Sequence, residues 1–501
     1  MGRQDEIVAE RIKKLHALRK LKINPYPNTF DVQDSSRALH EKHAKLKNEA
    51  YVKGTVKIAG RLTSVRDLGK IAFGTLYDGV GTIQVVLQEK ETPEKIREFF
   101  KEFVDMGDFV GVTGNVFRTK RGELSVMVEK LELLTKSLLP LPDKFHGIVD
   151  DEERLRKRYL EIITNPETRE TFVRKSKFWE TMRSFLKERG FLEVETPVLE
   201  NSAGGASATP FATHHNALNL DVYLRISMGE LWQKKCMVAG YPRTFEIGRQ
   251  FRNEGMDAEH LQDYTQMEFY WGYANYEMGM SLVEALYKTL AKEVYGKTKF
   301  SYGEHEFDIG KKWSVIDYAD TIKKELKIDI FNATKQEMEK KLRELKQEFA
   351  PTLERGRLMD LLWKVCRKKI AGPVFLTGQP VEVSPLAKRN PSDSRKVEQF
   401  QIILAGTEMG NGYSELNDPF DQEERFQEQR KMKEAGDSEA QEHDESFVEA
   451  LKYGMPPTCG FGVSERLFSL FENKPIRECV IFPLMRPLEE IKEKHEVKKN
   501  G

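Results

Sequence analysis

Residues 244–273 read TFEIGRQFRNEGMDAEHLQDYTQMEFYWGY, and the placement of charge in this stretch decides how the rest of the chain is understood. Both halves alternate. Glu246, Gln250, Arg252 and Glu254 share one side, with Phe245, Ile247 and Phe251 on the other. Tyr264, Gln266, Glu268 and Tyr270 stand in the same relation to Met267, Phe269 and Trp271. A period of two marks strands, whose successive side chains point to opposite faces. Residues 255–262 join the two as a charged loop too long for a tight hairpin. One face of the pair is apolar. The other carries an arginine, acids and tyrosines, and charges withdrawn from water need partners. An amphipathic hairpin with solvated charges is one account; a ligand bearing both anionic and cationic groups is the simpler one.

The chain has 501 residues, room for two to four domains. Its 39% hydrophobic and 32% charged content is that of a folded protein, which excludes a disordered chain. Basic and acidic residues number 80 each, so any nucleic-acid contact has to come from local patches and not from net charge. Cys236, Cys366, Cys459 and Cys479 are widely separated and form no CxxC pair, which argues against a disulfide framework or a zinc ribbon. His214 and His215 are adjacent, so on a strand they face opposite ways, and no third ligand is near. No apolar run is long enough to span a membrane and no signal-peptide core opens the chain. A reducing, cytoplasmic setting is expected.

Residues 4–21 have helical spacing, with Ile7, Ile12, Leu15 and Leu18 as a stripe and a basic face that is either solvated or RNA-facing. Between residues 51 and 135 the pattern becomes three short strands, a helix near 93–104 and two more strands, the order of an OB-fold barrel. Prolines then break the barrel. A helix at 171–189 follows, with Phe178, Met182, Phe185 and Leu186 inward. Residues 276–367 read as mainly helical, laced with Lys–Glu pairs. Two strands around Ala405–Gly406 place Asn411, Tyr413 and Glu415 on one face, and PPTCGFGVSERLF joins a glycine-bearing strand to a helix near Arg466, with Ser464 as a candidate cap.

FRNEG in the opening stretch resembles the core of motif 2 of the class II aminoacyl-tRNA synthetases. The 171–197 segment is similar to motif 1 and GFGVSER to motif 3, and the whole resembles the lysyl-tRNA synthetases of class IIb. The resemblance implies an α+β protein. Its parts would be a helical extension (1–50), an OB-fold anticodon-binding domain (51–140), a linker (141–165) and a class II catalytic domain (166–501). The last would be an antiparallel sheet flanked by helices, with a helical insertion at about 276–370. A homodimer is implied through motif 1, although the helix alone could equally be intramolecular core.

Amino-acid activation needs no catalytic Ser, Cys or His, because the substrate carboxylate is the nucleophile; the protein supplies position and charge. By resemblance Arg252 bridges the ATP α-phosphate and the substrate carboxylate, Arg466 holds the γ-phosphate, and Glu254 reads the adenine amino group. Adenine lies between Tyr264 and Arg466, His260 faces the phosphates, Gly462 belongs to the ATP site, and Glu408 ligates Mg²⁺. Glu230 and the Gly205 backbone take the α-amine; Glu415 and Tyr270 take the ε-amine with Glu268 and Asn411 close by, and Tyr413 packs on the aliphatic stem. In the barrel, Phe73 would stack on an anticodon uracil, Gln84 would hydrogen-bond one, and Arg61 and Arg66 would hold phosphates.

The expected function is therefore a lysine–tRNA ligase using ATP, L-lysine, tRNA(Lys) and Mg²⁺. The alternatives are an aspartyl- or asparaginyl-tRNA synthetase, or a catalytically silent RNA-binding paralogue. Acids at 230, 268 and 415 oppose the aspartyl reading, which needs cations there. Three departures stand out: Gln401 where the family commonly has a second Mg²⁺-binding Glu, Gly229 where it usually has proline, and a motif 3 run one residue short.

Overall fold

In the first part of the chain β-branched and aliphatic residues alternate with polar ones, and five strands result: β1 (Tyr51–Asp67), β2 (Ile71–Tyr77), β3 (Thr82–Gln88), β4 (Phe109–Arg118) and β5 (Leu124–Thr135). They close into a barrel in the order β1-β2-β3-β5-β4. The alternation sends Leu62, Leu76, Val85, Val112 and Val126 to the interior. A helix, Glu94–Phe103, lies between β3 and β4 and adds Phe100 and Phe103 to the same core. This is the strand order that the sequence spacing predicts for an OB-fold.

The N-terminal helix Arg3–Lys20 contributes Leu18 to that core. Its basic face is only partly solvated. Arg11 is buried and donates to the carbonyl oxygens of Met106, Ser137 and Leu139. The cation is spent on backbone carbonyls.

The computed structural model describes residues 2–142, 150–202, 206, 208–350, 353–434 and 444–487. The chain divides into two units, Met1–Asp151 and Glu152–Gly501. The second unit contains β6 (Leu192–Glu193), β7 (Leu199–Glu200), β8 (Ala212–His215), β9 (Leu220–Leu224), β10 (Arg243–Phe251), β11 (Asp263–Gly272), β12 (Lys299–Tyr302) and β13 (His305–Asp308). It continues with β14 (Ser314–Asp317), β15 (Val374–Thr377), β16 (Gln399–Leu404), β17 (Thr407–Ser414) and β18 (Thr458–Ser464). Eight of these form one sheet in the order β14-β15-β16-β17-β18-β11-β10-β6. The sheet is antiparallel except at its two edges, where β14–β15 and β10–β6 run parallel.

One face of the sheet is covered by the helices Pro166–Lys187, Tyr276–Tyr295 and Arg466–Glu472, which share a core with Phe245, Met267, Phe269, Phe400 and Phe461. The second of these helices has sharp ends: Asn275 accepts from the Met278 amide at 3.0 Å, and Gly296 closes it at φ 65°. The other sheet face is polar and carries the site.

The stretch expected to be mainly helical, about 276–370, is more mixed. It holds four helices, but also the hairpin β12–β13 and the edge strand β14. The hairpin turns on Gly303 at φ 56°, with aromatic residues alternating on either side. Dense Lys–Glu pairing along the neighbouring helices masks this short alternation in the sequence.

Candidate functional site

Three central strands set side chains in rows across the polar face. Glu268, Gly462 and Asn411 are in register on β11, β18 and β17; Tyr270, Gly460 and Tyr413 form the next row. The middle member of each row is a glycine, and that is what makes the recess. A Cβ on Gly460 would come within 2.0 Å of Glu415 Oε1 and 2.8 Å of the Tyr270 ring, and one on Gly462 within 3.2 Å of Glu268 Cγ. The resulting cavity measures about 360 Å³. Tyr264, Gln266, Glu268 and Tyr270, the four residues that alternation places on one side of the second strand, all line it.

Of the first half of the opening stretch only part reaches the cavity. Glu246 goes instead to protein partners, pairing with Arg225 at 2.5 Å and accepting from the Thr196 amide and hydroxyl. β10 ends at Phe251, so Arg252 and Glu254 belong to the connecting loop and not to the strand. The Arg252 amide still donates to the Gln262 carbonyl at 2.8 Å, which holds the loop's mouth closed.

At one end of the cavity three carboxylates are buried together. Glu230 is the first residue of the helix Glu230–Val238, just after Gly229. Gly229 has φ 66°, and a Cβ there would meet Thr196 Oγ1 at 2.1 Å. A proline, with φ fixed near −65°, does not fit this backbone, which accounts for that departure. Tyr413 donates to Glu230 Oε1 at 2.5 Å. Glu268 accepts from the Met228 amide at 3.1 Å, from Gln266 at 2.6 Å and from the Tyr270 hydroxyl at 3.1 Å. Glu415, just beyond β17, is 1% exposed, and its Oε1 has no hydrogen-bond partner. Asn411 accepts from Gln399 at 2.7 Å. Burial pushes Glu268 up to about 7, with the Glu230 charge adding to it. Burial also raises Glu415 to about 8, although Lys234 opposes the rise.

Lys234 was not singled out from the sequence, although GELWQKK contains it. Its Nζ lies 2.7 Å from Glu230 Oε1 and 2.6 Å from Glu415 Oε2. The i,i+4 spacing from Glu230 was the visible signal; the partnership with Glu415 arises only from the fold.

At the other end of the cavity stand Arg252, Glu259, His260, Tyr264, Glu408, Gly462 and Arg466. Arg252 lies over the Tyr264 ring, 5.9 Å from its centroid, and its buried Nε has no partner. Arg466 opens a helix, with its amide bound to the Ser464 hydroxyl at 3.3 Å, and its guanidinium is paired with Glu259. Glu259 is another residue the sequence reading left among loop charges. His260 Nδ1 lies 2.9 Å from the Asp257 carboxylate. Burial raises Glu408, while Arg367 and Arg466 pull it down.

Two expected residues are not in the lining. Glu254 is exposed and accepts from the Thr209 amide at 3.2 Å. Gln401 is on the same face of β16 as Gln399 but outside the cavity wall. Gly205 lies outside the described residues, although Ala206 beside it lines the cavity.

In the first unit, Phe73 and Gln84 point outward from the barrel. Phe73 is half-buried in a small external cluster with Val86, Phe117 and Met127, and is not part of the interior core. Tyr51, half exposed, stacks on Phe117 with ring centroids 5.0 Å apart, an aromatic the sequence reading passed over. Gln84 accepts from Ser125 at 2.9 Å. Arg66 is exposed and directly opposite Phe73 across β1 and β2. Arg61 is less free: it donates to the Gly107 carbonyl at 3.0 Å and sits on the Phe109 ring.

Comparison with known proteins gives a consistent picture. Residues 150–486 match the family described as tRNA synthetases class II (D, K and N), and residues 56–134 match the OB-fold nucleic acid binding domain. The lysine–tRNA ligase of Halalkalibacterium halodurans is 42% identical over 488 residues, covering 96% of this chain and 97% of that protein. The heat-inducible lysine–tRNA ligase of Escherichia coli (strain K12) is 44% identical over 493 residues, 95% of each chain. That of Fervidobacterium nodosum is 43% identical over 479 residues, 95% of this chain and 93% of its own.

Proposed function

The chain belongs to the class II tRNA synthetases of the D, K and N group, and we propose that its amino acid is lysine. It would activate L-lysine with ATP to lysyl-adenylate and pyrophosphate, then pass lysine to the 3′ end of tRNA(Lys). The observation that carries this reading is the burial of Glu230, Glu268 and Glu415 in one recess of the central sheet. Acids on this scale, withdrawn from water, require cationic partners. Lysine brings two, whereas aspartate brings only its α-ammonium and adds a second carboxylate.

In this reading the lysine carboxylate attacks the ATP α-phosphorus, an oxygen–phosphorus bond forms, and the bond to pyrophosphate breaks. Arg252 is the residue between the two reactants, and its planar fork suits both phosphate and carboxylate. Arg466 takes the γ-phosphate once released from Glu259, adenine lies between Arg466 and Tyr264, and His260 faces the phosphates. Glu254, Gly462 and the Gly205 backbone keep the roles that the resemblance implies. Glu230 receives the α-ammonium; Glu415, with Tyr270, Glu268 and Asn411, receives the ε-ammonium, and Tyr413 lines the stem.

Glu408 is the carboxylate suited to Mg²⁺, since it faces the nucleotide end of the cavity and Mg²⁺ takes one or two carboxylates with substrate phosphate oxygens. Bound there, the ion would neutralise phosphate charge; Gln401, outside the cavity wall, offers at most an uncharged oxygen. A homodimer is part of the proposal. The helix Pro166–Lys187 leaves Phe172 and Val173 beside Ile481 in an open apolar groove, consistent with a face covered by a second copy. Sedimentation at micromolar concentration checks it.

The deciding experiment is ATP–pyrophosphate exchange with single amino acids and no tRNA. Lysine-dependent exchange is expected. Exchange with aspartate or asparagine instead, or with no amino acid, overturns the proposal. On the barrel, Phe73→Ala is expected to raise the KM for tRNA about ten- to hundredfold, the worth of one stacked base, and to leave lysine-dependent exchange unchanged.

A further inference from the structure

We propose that Lys234 is a positioning and specificity residue for the amino acid: a built-in cation that leaves the recess with two uncompensated carboxylates, the number that a doubly cationic guest satisfies. The inference rests on the lysine reading and deepens it.

The geometry is that of a counter-ion held inside the site. Lys234 is 1% exposed and lies one helical turn after Glu230. Its ammonium bridges Glu230 Oε1 at 2.7 Å and Glu415 Oε2 at 2.6 Å. The rings of Tyr413 and Phe447 approach it, with centroids 5.6 and 5.7 Å away. The groups that face it are Glu230 on its own helix, Glu415 and Tyr413 at the end of β17, and the uncharged Phe447 on the helix Glu445–Lys452; Glu268 and Tyr270 on β11 act on Glu415 beside it. With all three carboxylates ionised, as they are once the guest is bound, the one ammonium leaves two negative charges. The two ammonium groups of lysine cancel them, and its carboxylate points out of the recess toward Arg252.

Lys234 also leaves room for the guest. It occupies Oε2 of Glu415, while Oε1 has no hydrogen-bond partner and remains available to a donor. Without Lys234, three buried carboxylates would face one another with no internal cation. Like charges so close do not all ionise, so the protons that burial already favours on Glu268 and Glu415 would be held to a higher pH and would neutralise acids that the guest needs. A residue that merely fastened its helix to β17 would show no such linkage to pH.

The test uses Lys234→Met, which keeps the length and apolar contact and removes the charge, beside Lys234→Arg. KM for lysine and for ATP are taken from exchange between pH 6.5 and 9. Proton release on lysine binding is measured by calorimetry in two buffers of different ionisation heat. Lys234→Met is expected to raise the lysine KM at pH 7 about tenfold or more, to recover at a pH about one unit higher, to release more protons per lysine bound, and to leave the ATP KM unchanged. Lys234→Arg retains most of the affinity. A lysine KM that is unchanged, that falls, or that rises by one factor at every pH overturns the proposal.

Should the methionine variant not fold, Glu230→Gln with Lys234→Met returns the recess to two charges. A lysine KM below that of Glu230→Gln alone then supports the count, and one equal to it or higher overturns it. The parent is assayed first. Absence of lysine-dependent exchange there defeats the functional reading itself, whereas the variants, judged against an active parent, bear on Lys234 alone.

Discussion

The two ends of the cavity are built on opposite plans. At the amino-acid end every acid is buried and held by regular structure: Glu268 on β11, Glu230 on a helix, Glu415 at the end of β17. Lys234, Tyr413, Gln266 and Tyr270 already hold them, with Glu415 Oε1 left open. At the end proposed for the nucleotide Arg252, Glu259 and His260 come from a loop, His260 and Glu254 are exposed, and Arg466 is paired with the Glu259 carboxylate. On the proposed reading one end is pre-formed and selects, and the other reorganises around its ligand. A small amino acid offers few contacts, so its discrimination depends on rigid placement. A nucleotide triphosphate carries charge enough to reorganise what it meets.

Substitutions can break this contrast. Arg252→Ala is expected to have the largest effect, a fall of about 10²–10³ in kcat for exchange, as when one preorganised charge-stabilising donor is lost; single-turnover exchange checks it. An effect confined to a higher lysine KM would move Arg252 to the pre-formed end. Glu415→Gln follows, with a lysine KM about ten- to hundredfold higher, the worth of a hydrogen bond to a charged group, and an ATP KM within twofold. An ATP KM that rises equally would show that the two ends are not separate.

The third test is pH. Glu268 and Glu415 titrate at about 7 and about 8, well above ordinary carboxylates. The free enzyme therefore holds protons there that its unfolded chain has lost, and these two acids lower stability as pH rises from about 4.5 to about 8. Lysine binding favours the ionised forms and expels the protons. Its KM should rise roughly tenfold from pH 8.5 to pH 6.5, with the ATP KM nearly flat. The smallest effect is expected from Glu259→Gln, which frees Arg466. A partly exposed pair is worth about 0.2–1 kcal/mol, so the ATP KM should fall about two- to fivefold. A rise would make Glu259 a contributor to ATP binding.

Much of this was legible in the chain because it follows local periods. Alternation placed Tyr264, Gln266, Glu268 and Tyr270 on one face, and the succession of strands and helix gave the barrel. What escaped was long-range or irregular. The Glu230–Lys234 spacing was visible, yet Lys234 matters through Glu415, far along the chain. Glu259 read as one loop charge among several until the fold set Arg466 against it. Arg252 and Glu254 continued the alternation of β10 on paper, although the strand stops before them. Glu246 fell on the polar face and was consumed by Arg225, a partner that no local pattern announces.

The two glycines of β18 act as separate dials on what the site admits. Position 460 would govern length on the proposed reading: a methyl there would sit on Glu415 and Tyr270 and close that end of the recess to a long side chain. Position 462 governs width, and the 3.2 Å clearance to Glu268 leaves a methyl just tolerable. A change of guest within this architecture would thus start at the two positions of β18 that offer no side chain.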